Sequence, residues 1–410
     1  MNPRELTAHA TRHLPGRALK ITLTGEERVM ALLLVFVPLT VLGPLVRLPT
    51  WITFFISVAA VVPLAAFIGS ATEALADRLG AKVGGLLNAT FGNSPDLLIG
   101  IFGVQKGLIL LVKATLIGAL ISNSALIMGL CYITAGLAHR RPVYKRHEAG
   151  HHSVLMMLTV AAVLFPSVGS FVTCGMKACA SGPQAATIFD ISVGISVALL
   201  LAYVAYLLYG IFGLESLGKF QRAGSETRFL TERAVSEHKK PWPTWFSLAV
   251  LAGATLGLIP VINVLTDSVT PVTQVLGWTE VFVGMVIVAN AGNVAEAYAA
   301  IKFSLQRPGR PEDSRGGDSG LDLALGIASA SSIQIATFIL PLVVLISLFA
   351  HPMNLVFSPV EIAILGLMVV IFTYTAQDGE SNWLEGAQLV ALYLMAAVVF
   401  FALPASAFAG

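Results

Sequence analysis

The sequence predicts an all-α polytopic membrane protein. Of its 410 residues, 56% are apolar and only 12% are charged, and the mean hydropathy is +0.81. A soluble domain cannot bury so much apolar surface, because its surface area is too large relative to its core. Apolar runs of about 18 residues or more recur along the chain, and a backbone in lipid must satisfy its hydrogen bonds internally. These runs are therefore predicted to be transmembrane helices.

We predict eleven transmembrane segments, each bounded by polar or basic loops. The segments are 29–46, 51–72, 84–104, 108–137, 153–173, 188–213, 244–265, 279–303, 321–349, 359–376 and 386–408.

The basic residues predict how these segments are oriented. If the N-terminus is cytoplasmic and the segments alternate in direction, 21 of the 25 lysines and arginines fall in the N-terminal segment or in cytoplasmic loops. This distribution follows the positive-inside rule and predicts a C-terminus on the opposite side of a plasma or organelle membrane. The formal net charge of +2 and the lack of a basic, aromatic-rich patch do not favour a nucleic-acid partner.

A short motif occurs twice within the apolar segments. Gly92-Asn93-x-x-Asp96 lies in the third segment, and Gly292-Asn293-x-x-Glu296 lies 200 residues later in the eighth. The predicted orientation makes the two copies antiparallel, and inverted repeats of this kind mark the binding site of secondary transporters. We therefore predict a cytoplasmic segment 1–28, a first span 29–46 outside the repeats, a first repeat 51–213, a cytoplasmic linker 214–243 and a second repeat 244–410.

Two acids at mid-membrane depth predict a cation site. A carboxylate there costs about 2.5–3.5 kcal/mol on insertion scales, so it is kept mainly where it faces a partner or an ion pathway. Two facing carboxylates repel each other, and a hard divalent cation with oxygen ligands offsets that repulsion. Protons and the metal ion then compete for the same two acids, Asp96 and Glu296.

Neighbouring polar and small residues complete the predicted site. Amide and hydroxyl oxygens can add ligands, and glycines can loosen a helix so that its carbonyls become available. The predicted further ion-binding residues are Asn93, Asn293, Ser122, Asn123, Gln334 and Ser331, and the predicted helix breaks are at Gly92 and Gly292. Glu73, at the cytoplasmic end of the second segment, is a possible gate or proton relay.

Structural alternatives exist for each of these residues. A single buried acid can be a neutral, hydrogen-bonded structural group. Two acids at matching positions in the two motifs favour ion binding over this structural interpretation. Amides also join transmembrane helices by hydrogen bonds, and serines allow close packing. Glu73 can be a plain interfacial acid, as can Asp190, Glu280 and Glu361, which lie at predicted segment ends.

A competing motif suggests an enzyme. His147-Glu148-x-x-His151 fits the helical zinc signature of metalloproteases, with Asp378 as a conceivable third ligand. It follows a basic loop, however, and so lies at the membrane edge, where an interfacial histidine cluster is the simpler interpretation.

The two repeated regions resemble the cation/proton exchanger family of the calcium/cation antiporter superfamily. The resemblance covers 84–93 and 113–123 in the front half, and 292–296 and 322–336 in the back half. It implies eleven spans with a peripheral first span, two repeat acids that bind the ion, and exchange of Ca²⁺ for H⁺ without a cofactor. The chain departs from the family at Asp96, which is usually Glu, and at Ala297, which is usually His. The proline directly before Asp96, Pro95, resembles the sodium/calcium branch of the same superfamily. Na⁺-coupled cation exchange is therefore the alternative to exchange with H⁺.

Overall fold

The computed structural model describes residues 25–79, 86–88, 90–139, 142–144, 146–175, 182–212, 242–306, 320–376 and 379–408. Throughout these residues the secondary structure is helical, and the sole β-type contact is an isolated bridge between Val143 and Glu380. The all-α prediction is therefore confirmed for the described part of the chain. Most of the predicted segments 1–28 and 214–243 lies outside it.

Twelve helices are numbered here in chain order. They are α1 (Gly25–Leu33), α2 (Phe36–Leu42), α3 (Thr50–Leu79), α4 (Ser94–Gln105), α5 (Ile109–His139), α6 (Arg146–Cys174), α7 (Pro183–Phe212), α8 (Thr244–Leu276), α9 (Glu280–Ser304), α10 (Gly320–Ser347), α11 (Pro359–Ala376) and α12 (Trp383–Ala402). A short 3₁₀ turn, Ala405–Ala407, follows α12.

Eight helices among the described residues are long and apolar enough to cross a membrane: α3, α5, α6, α7, α8, α9, α10 and α12. Helix α11 is apolar but shorter. The predicted first span is divided into α1 and α2, and the predicted third span is divided by a turn at Gly92 and Asn93, after which α4 begins. Each predicted segment thus contains helical structure. In three of the eleven segments, the first, the third and the tenth, the helices are shorter than the other spans.

Helices α3 and α8 form an antiparallel pair. At one end of the pair, Arg78 Nε donates a 2.6 Å hydrogen bond to the Trp242 carbonyl, which lies just before α8. At the other end, the rings of Phe55 and Trp278 lie 6.3 Å apart. Apolar side chains between these points, including Leu64 and Leu258, are buried in one continuous cluster.

The centre of the molecule is built from α4, α5, α9 and α10. Helices α5 and α9 approach so closely that a Cβ atom added to Gly118 would lie 2.4 Å from Met285 Cα. Helix α5 ends beside α9, where His139 Nε2 lies 3.2 Å from the Leu305 carbonyl. Helix α10 starts at this same end, because a Cβ added to Gly320 would meet the Phe303 carbonyl. Helices α5 and α10 therefore run in opposite directions through the core.

Candidate cation-binding site

The chain breaks its helical path immediately before α4. Gly92 N–H donates a 2.7 Å hydrogen bond to the Asn88 carbonyl, and a Cβ atom at Gly92 would lie only 2.6 Å from that oxygen. Asn93 then has a non-helical backbone, and α4 begins with Ser94 and Pro95. Proline suits a first helical turn because it has no N–H to satisfy. The break predicted at Gly92 is present, and it places Asp96 in the first turn of α4.

Asp96 lies against α9. Its side chain is only 1% exposed, and a Cβ atom added to Gly292 would lie 3.1 Å from Asp96 Oδ1. Glu296, one turn after Gly292, is near enough to act on Asp96 electrostatically, and its Oε2 atom is buried. Asp96 Oδ1 has no hydrogen-bond partner among the described residues. The structure thus brings the two predicted acids together.

Five of the predicted polar residues form one buried hydrogen-bond network. Asn93 Nδ2 donates to Gln334 Oε1 at 2.7 Å, and Ser331 Oγ donates to Asn93 Oδ1 at 3.3 Å. Asn123 Nδ2 donates to Ser331 Oγ at 3.1 Å, and Asn293 Nδ2 donates to Asn123 Oδ1 at 3.2 Å. The network joins the turn before α4 to α5, α9 and α10, next to the acid pair.

Ser122 makes a different contact. Its hydroxyl donates to Asn290 Oδ1 at 2.7 Å, and Asn290 Nδ2 in turn donates to Val286 O and to Tyr393 Oη, each at 2.6 Å. Asn290 was not among the predicted residues, although it lies three residues before Asn293 on the same helix face. That spacing was the available signal. Ser122 is therefore connected through Asn290 to α9 and to α12.

Three core helices contain a widened π-type turn. These turns are Ser122–Ile127 in α5, Val283–Val288 in α9 and Ile335–Ile339 in α10. Such turns disturb the regular i→i−4 pattern and are frequent at functional sites. The break predicted at Gly292 is not found, because α9 is continuously helical from Ala289 to Ser304. At Gly292 the missing side chain instead makes room for the Asp96 carboxylate.

A cavity of about 240 Å³, here called the vestibule, leads away from the acid pair. Gly292 and Glu296 line its inner part, and Glu73 of α3 and Lys302 of α9 line it further along. Glu73 and Glu296 thus line the same cavity, and a role for Glu73 as a gate or proton relay stays a prediction. Glu27 of α1 also lines the vestibule, although the sequence had placed the first span outside the repeats.

The competing zinc motif lies at the start of α6. The side chains of His147, Glu148 and His151, and the whole of Asp378, lie outside the described residues. In the part of the chain that is described, no three His, Cys, Asp or Glu side chains form a group able to hold a metal ion. The candidate site instead combines two carboxylates with amide and hydroxyl oxygens, which suits a hard cation.

The family model described as sodium/calcium exchanger protein matches residues 49–212 and 246–402. These two stretches cover α3–α7 and α8–α12. The chain belongs to this family. The family resemblance predicted from the repeated motifs is confirmed.

Relatives within the exchanger family match nearly the whole chain. A Ca²⁺/H⁺ antiporter of Aphanothece halophytica is 31% identical over 90% of this chain and 95% of its own length. The Ca²⁺/H⁺ antiporter ChaA of Bacillus subtilis is 32% identical over 90% of this chain and 97% of its own length. Among solved structures, native YfkE has a TM-score of 0.72 at 31% identity and covers 91% of this chain and 100% of its own. An H⁺/Ca²⁺ exchanger structure at 12% identity shares the fold, with a TM-score of 0.64.

Proposed function

We propose that this exchanger-family protein is an antiporter that exchanges Ca²⁺ for H⁺ by alternating access. Relatives named Ca²⁺/H⁺ antiporters, matched over nearly their full length, support this assignment. The observation that carries it is the buried Asp96 carboxylate, held against Gly292 and beside Glu296. Two adjacent carboxylates in a buried site need either protons or a cation between them.

The acid pair provides the coupling. When both Asp96 and Glu296 are deprotonated, their oxygens bind a divalent cation, whose charge offsets their mutual repulsion. When protons bind, the carboxylates lose the charge that holds the metal, and the cation leaves. Because one site holds either Ca²⁺ or protons, exposure of that site to each side of the membrane in turn exchanges the two ions.

The polar network holds the acids in position. Asn93 and Asn293 precede the two acids by three residues, and each is bonded to an amide on a helix of the other half of the chain, Gln334 and Asn123 respectively. The oxygens of these four amides and of Ser331 are proposed to complete the ion's coordination. Ser122 acts through Asn290 as a positioning residue.

We also propose the inverted-repeat organisation, with repeats 51–213 and 244–410, a peripheral first span 29–46 and eleven crossings. Its support is the family match in two separate stretches, the opposite directions of α5 and α10, and the reciprocal bonds of Asn93 and Asn293. Arg28, Arg78 and Lys302 lie at the vestibule end of the bundle, so the positive-inside rule places that end in the cytoplasm.

The test is ion uptake by reconstituted vesicles with an imposed pH gradient. Uptake of radioactive Ca²⁺ is expected when the vesicle lumen is acidic, and it should stop when a protonophore collapses the gradient. Parallel vesicles with a Na⁺ gradient and no pH gradient test the alternative, which the family description and Pro95 favour. If a Na⁺ gradient drives Ca²⁺ uptake and a pH gradient does not, the coupling ion is Na⁺ and the proposed exchange with H⁺ is wrong.

A further inference from the structure

Lys106 fastens the end of α4 to α8. Its Nζ atom donates hydrogen bonds of 2.7 Å to the Asn263 carbonyl and to Thr266 Oγ1, and it forms a 2.8 Å ion pair with Asp267 Oδ1. The ammonium also lies 5.7 Å from the centre of the Phe102 ring. One flexible side chain therefore makes three polar contacts with a single turn of a neighbouring helix.

This contact lies on the far side of the acid pair from the vestibule. Helix α4 starts at Ser94, two residues after Gly92 of the vestibule lining, and has 12 residues, so Lys106 is about 18 Å further along. Helix α8 likewise begins at Thr244, just after Trp242, whose carbonyl is bonded to Arg78 at the vestibule end, and Asp267 lies towards the other end of α8. The vestibule thus lies towards one end of α4 and α8, and the Lys106 contacts join these two helices towards the other end.

The sequence relates the two sides. Thr50-Trp51 at the start of α3 recurs as Thr244-Trp245 at the start of α8, 194 residues later. At the same spacing, Thr72-Glu73 recurs as Thr266-Asp267. Glu73 lines the vestibule between α3 and α9. Asp267 occupies the matching place on α8, where it is paired with Lys106 at the end of α4.

We propose that the Lys106–Asp267 pair, here called the distal gate, closes a second vestibule between α4 and α8. Release of Lys106 lets these helices separate, and Asp267 then faces the opened path as Glu73 faces the present one. This inference rests on the proposed alternating-access function and assigns the residues that hold one of its two states.

The exposure of the pair suits a gate that opens in every cycle. The Lys106 side chain is 23% exposed and that of Asp267 is 60% exposed. Water and salt screen an ion pair at such positions, so its net contribution is small and it breaks readily.

The first experiment measures accessibility and does not depend on which ions are exchanged. Ile262, one turn before Thr266 on α8, is fully buried and is replaced by Cys as a probe. Labelling by a membrane-impermeant maleimide from the Lys106 side should rise about threefold in Lys106→Gln and Asp267→Asn, as expected for loss of one exposed ion pair in a two-state equilibrium. Lys106→Arg should label like the parent.

Asp190→Asn is the matched control, because it removes an exposed carboxylate from α7, a helix that does not contact Lys106 in the described structure. It should leave labelling unchanged. Equal labelling of the parent and both gate variants would overturn the proposal. If the gate variants change the labelling but the protein does not exchange Ca²⁺ for H⁺, the gate proposal stands and the proposed Ca²⁺/H⁺ exchange is wrong.

A second experiment prevents opening. In Lys106→Cys/Asp267→Cys, a reversible bifunctional thiol reagent should stop ion exchange, and a reductant should restore it. Each single-cysteine variant should be as active after the same treatment as it was before. Undiminished exchange in fully cross-linked protein would show that α4 and α8 remain together throughout transport, and the proposal would fail.

Discussion

At the residue scale, the contact between Gly292 and Asp96 defines the candidate site. Helix α9 needs no glycine for its backbone, since it is regular at this position. A methyl group there would lie 3.1 Å from Asp96 Oδ1, closer than carbon and oxygen normally approach. The glycine is therefore explained by the space that the carboxylate occupies.

Gly292→Ala should displace the Asp96 carboxylate while the protein stays folded. We expect the apparent KM for Ca²⁺ to rise by about tenfold, the equivalent of about 1.4 kcal/mol. The measurement is the Ca²⁺ dependence of exchange in vesicles. Gly253→Ala on α8, where a new Cβ meets nothing within 4 Å, is the control and should keep the parent KM. An unchanged KM in Gly292→Ala would mean that Asp96 is not held by this contact.

The sequence predicted some site residues better than others. Asp96 and Glu296 were predictable because a carboxylate in an apolar segment is costly, and because their motifs recur at a fixed spacing. Asn290 was missed because it has no amide counterpart in the other half of the chain, so its three-residue spacing before Asn293 was the available signal. Glu361 was expected to reach the interface but is 1% exposed, because the chain before α11 folds inward and covers it.

At the element scale, the buried segment before α11 is held by a charged group from α5. Lys113 Nζ donates 2.7 Å hydrogen bonds to Asn354 Oδ1 and to the Val356 carbonyl, and it lies 5.4 Å from the Phe357 ring centre. Glu361, in the first turn of α11, interacts with Lys113 electrostatically and accepts a 2.9 Å bond from Ser358 N–H. The Lys113 hydrogen bonds thus fix this segment to the core, and the Glu361 carboxyl group is buried beside it.

Removal of Lys113 alone should destabilise the protein more than replacement of both Lys113 and Glu361. Lys113→Met leaves Asn354 Oδ1 and the Val356 carbonyl without their buried donor and removes the group that acts electrostatically on Glu361, and we expect a loss of about 1–3 kcal/mol of stability. Lys113→Met/Glu361→Gln should recover a large part of that loss. Thermal unfolding of the purified protein in detergent measures both. If the double variant is less stable than Lys113→Met, the two side chains do not compensate each other.

Helix positions were easier to predict than helix interruptions. The apolar runs located every element, because burial in lipid requires long apolar stretches. The division of the first span into α1 and α2 and the π-type turns in α5, α9 and α10 were not predicted. A π-type turn depends on how one extra residue is accommodated by neighbouring helices, and local sequence carries little of that information.

At the scale of the whole molecule, the described residues place a vestibule on one side of the acid pair and the Lys106–Asp267 contact on the other. The vestibule reaches Glu296 from the side where Arg78 lies, and Lys106 joins α4 to α8 on the other. An antiporter needs access from one side at a time, because a path open to both sides at once would dissipate the gradients. The motif spacing indicated the two matching acids, but only the fold shows on which side of them the vestibule lies.

The most direct test of the account is Ca²⁺ exchange and Ca²⁺ binding in Asp96→Asn and Glu296→Gln, compared with the parent and with Asp190→Asn. These changes remove a charge with little change in shape, so each variant is expected to remain folded. The account predicts that either site variant loses pH-driven Ca²⁺ uptake and saturable Ca²⁺ binding, while Asp190→Asn retains both. Parent-like uptake and binding in either site variant would contradict the claim that the two carboxylates together bind the transported ion.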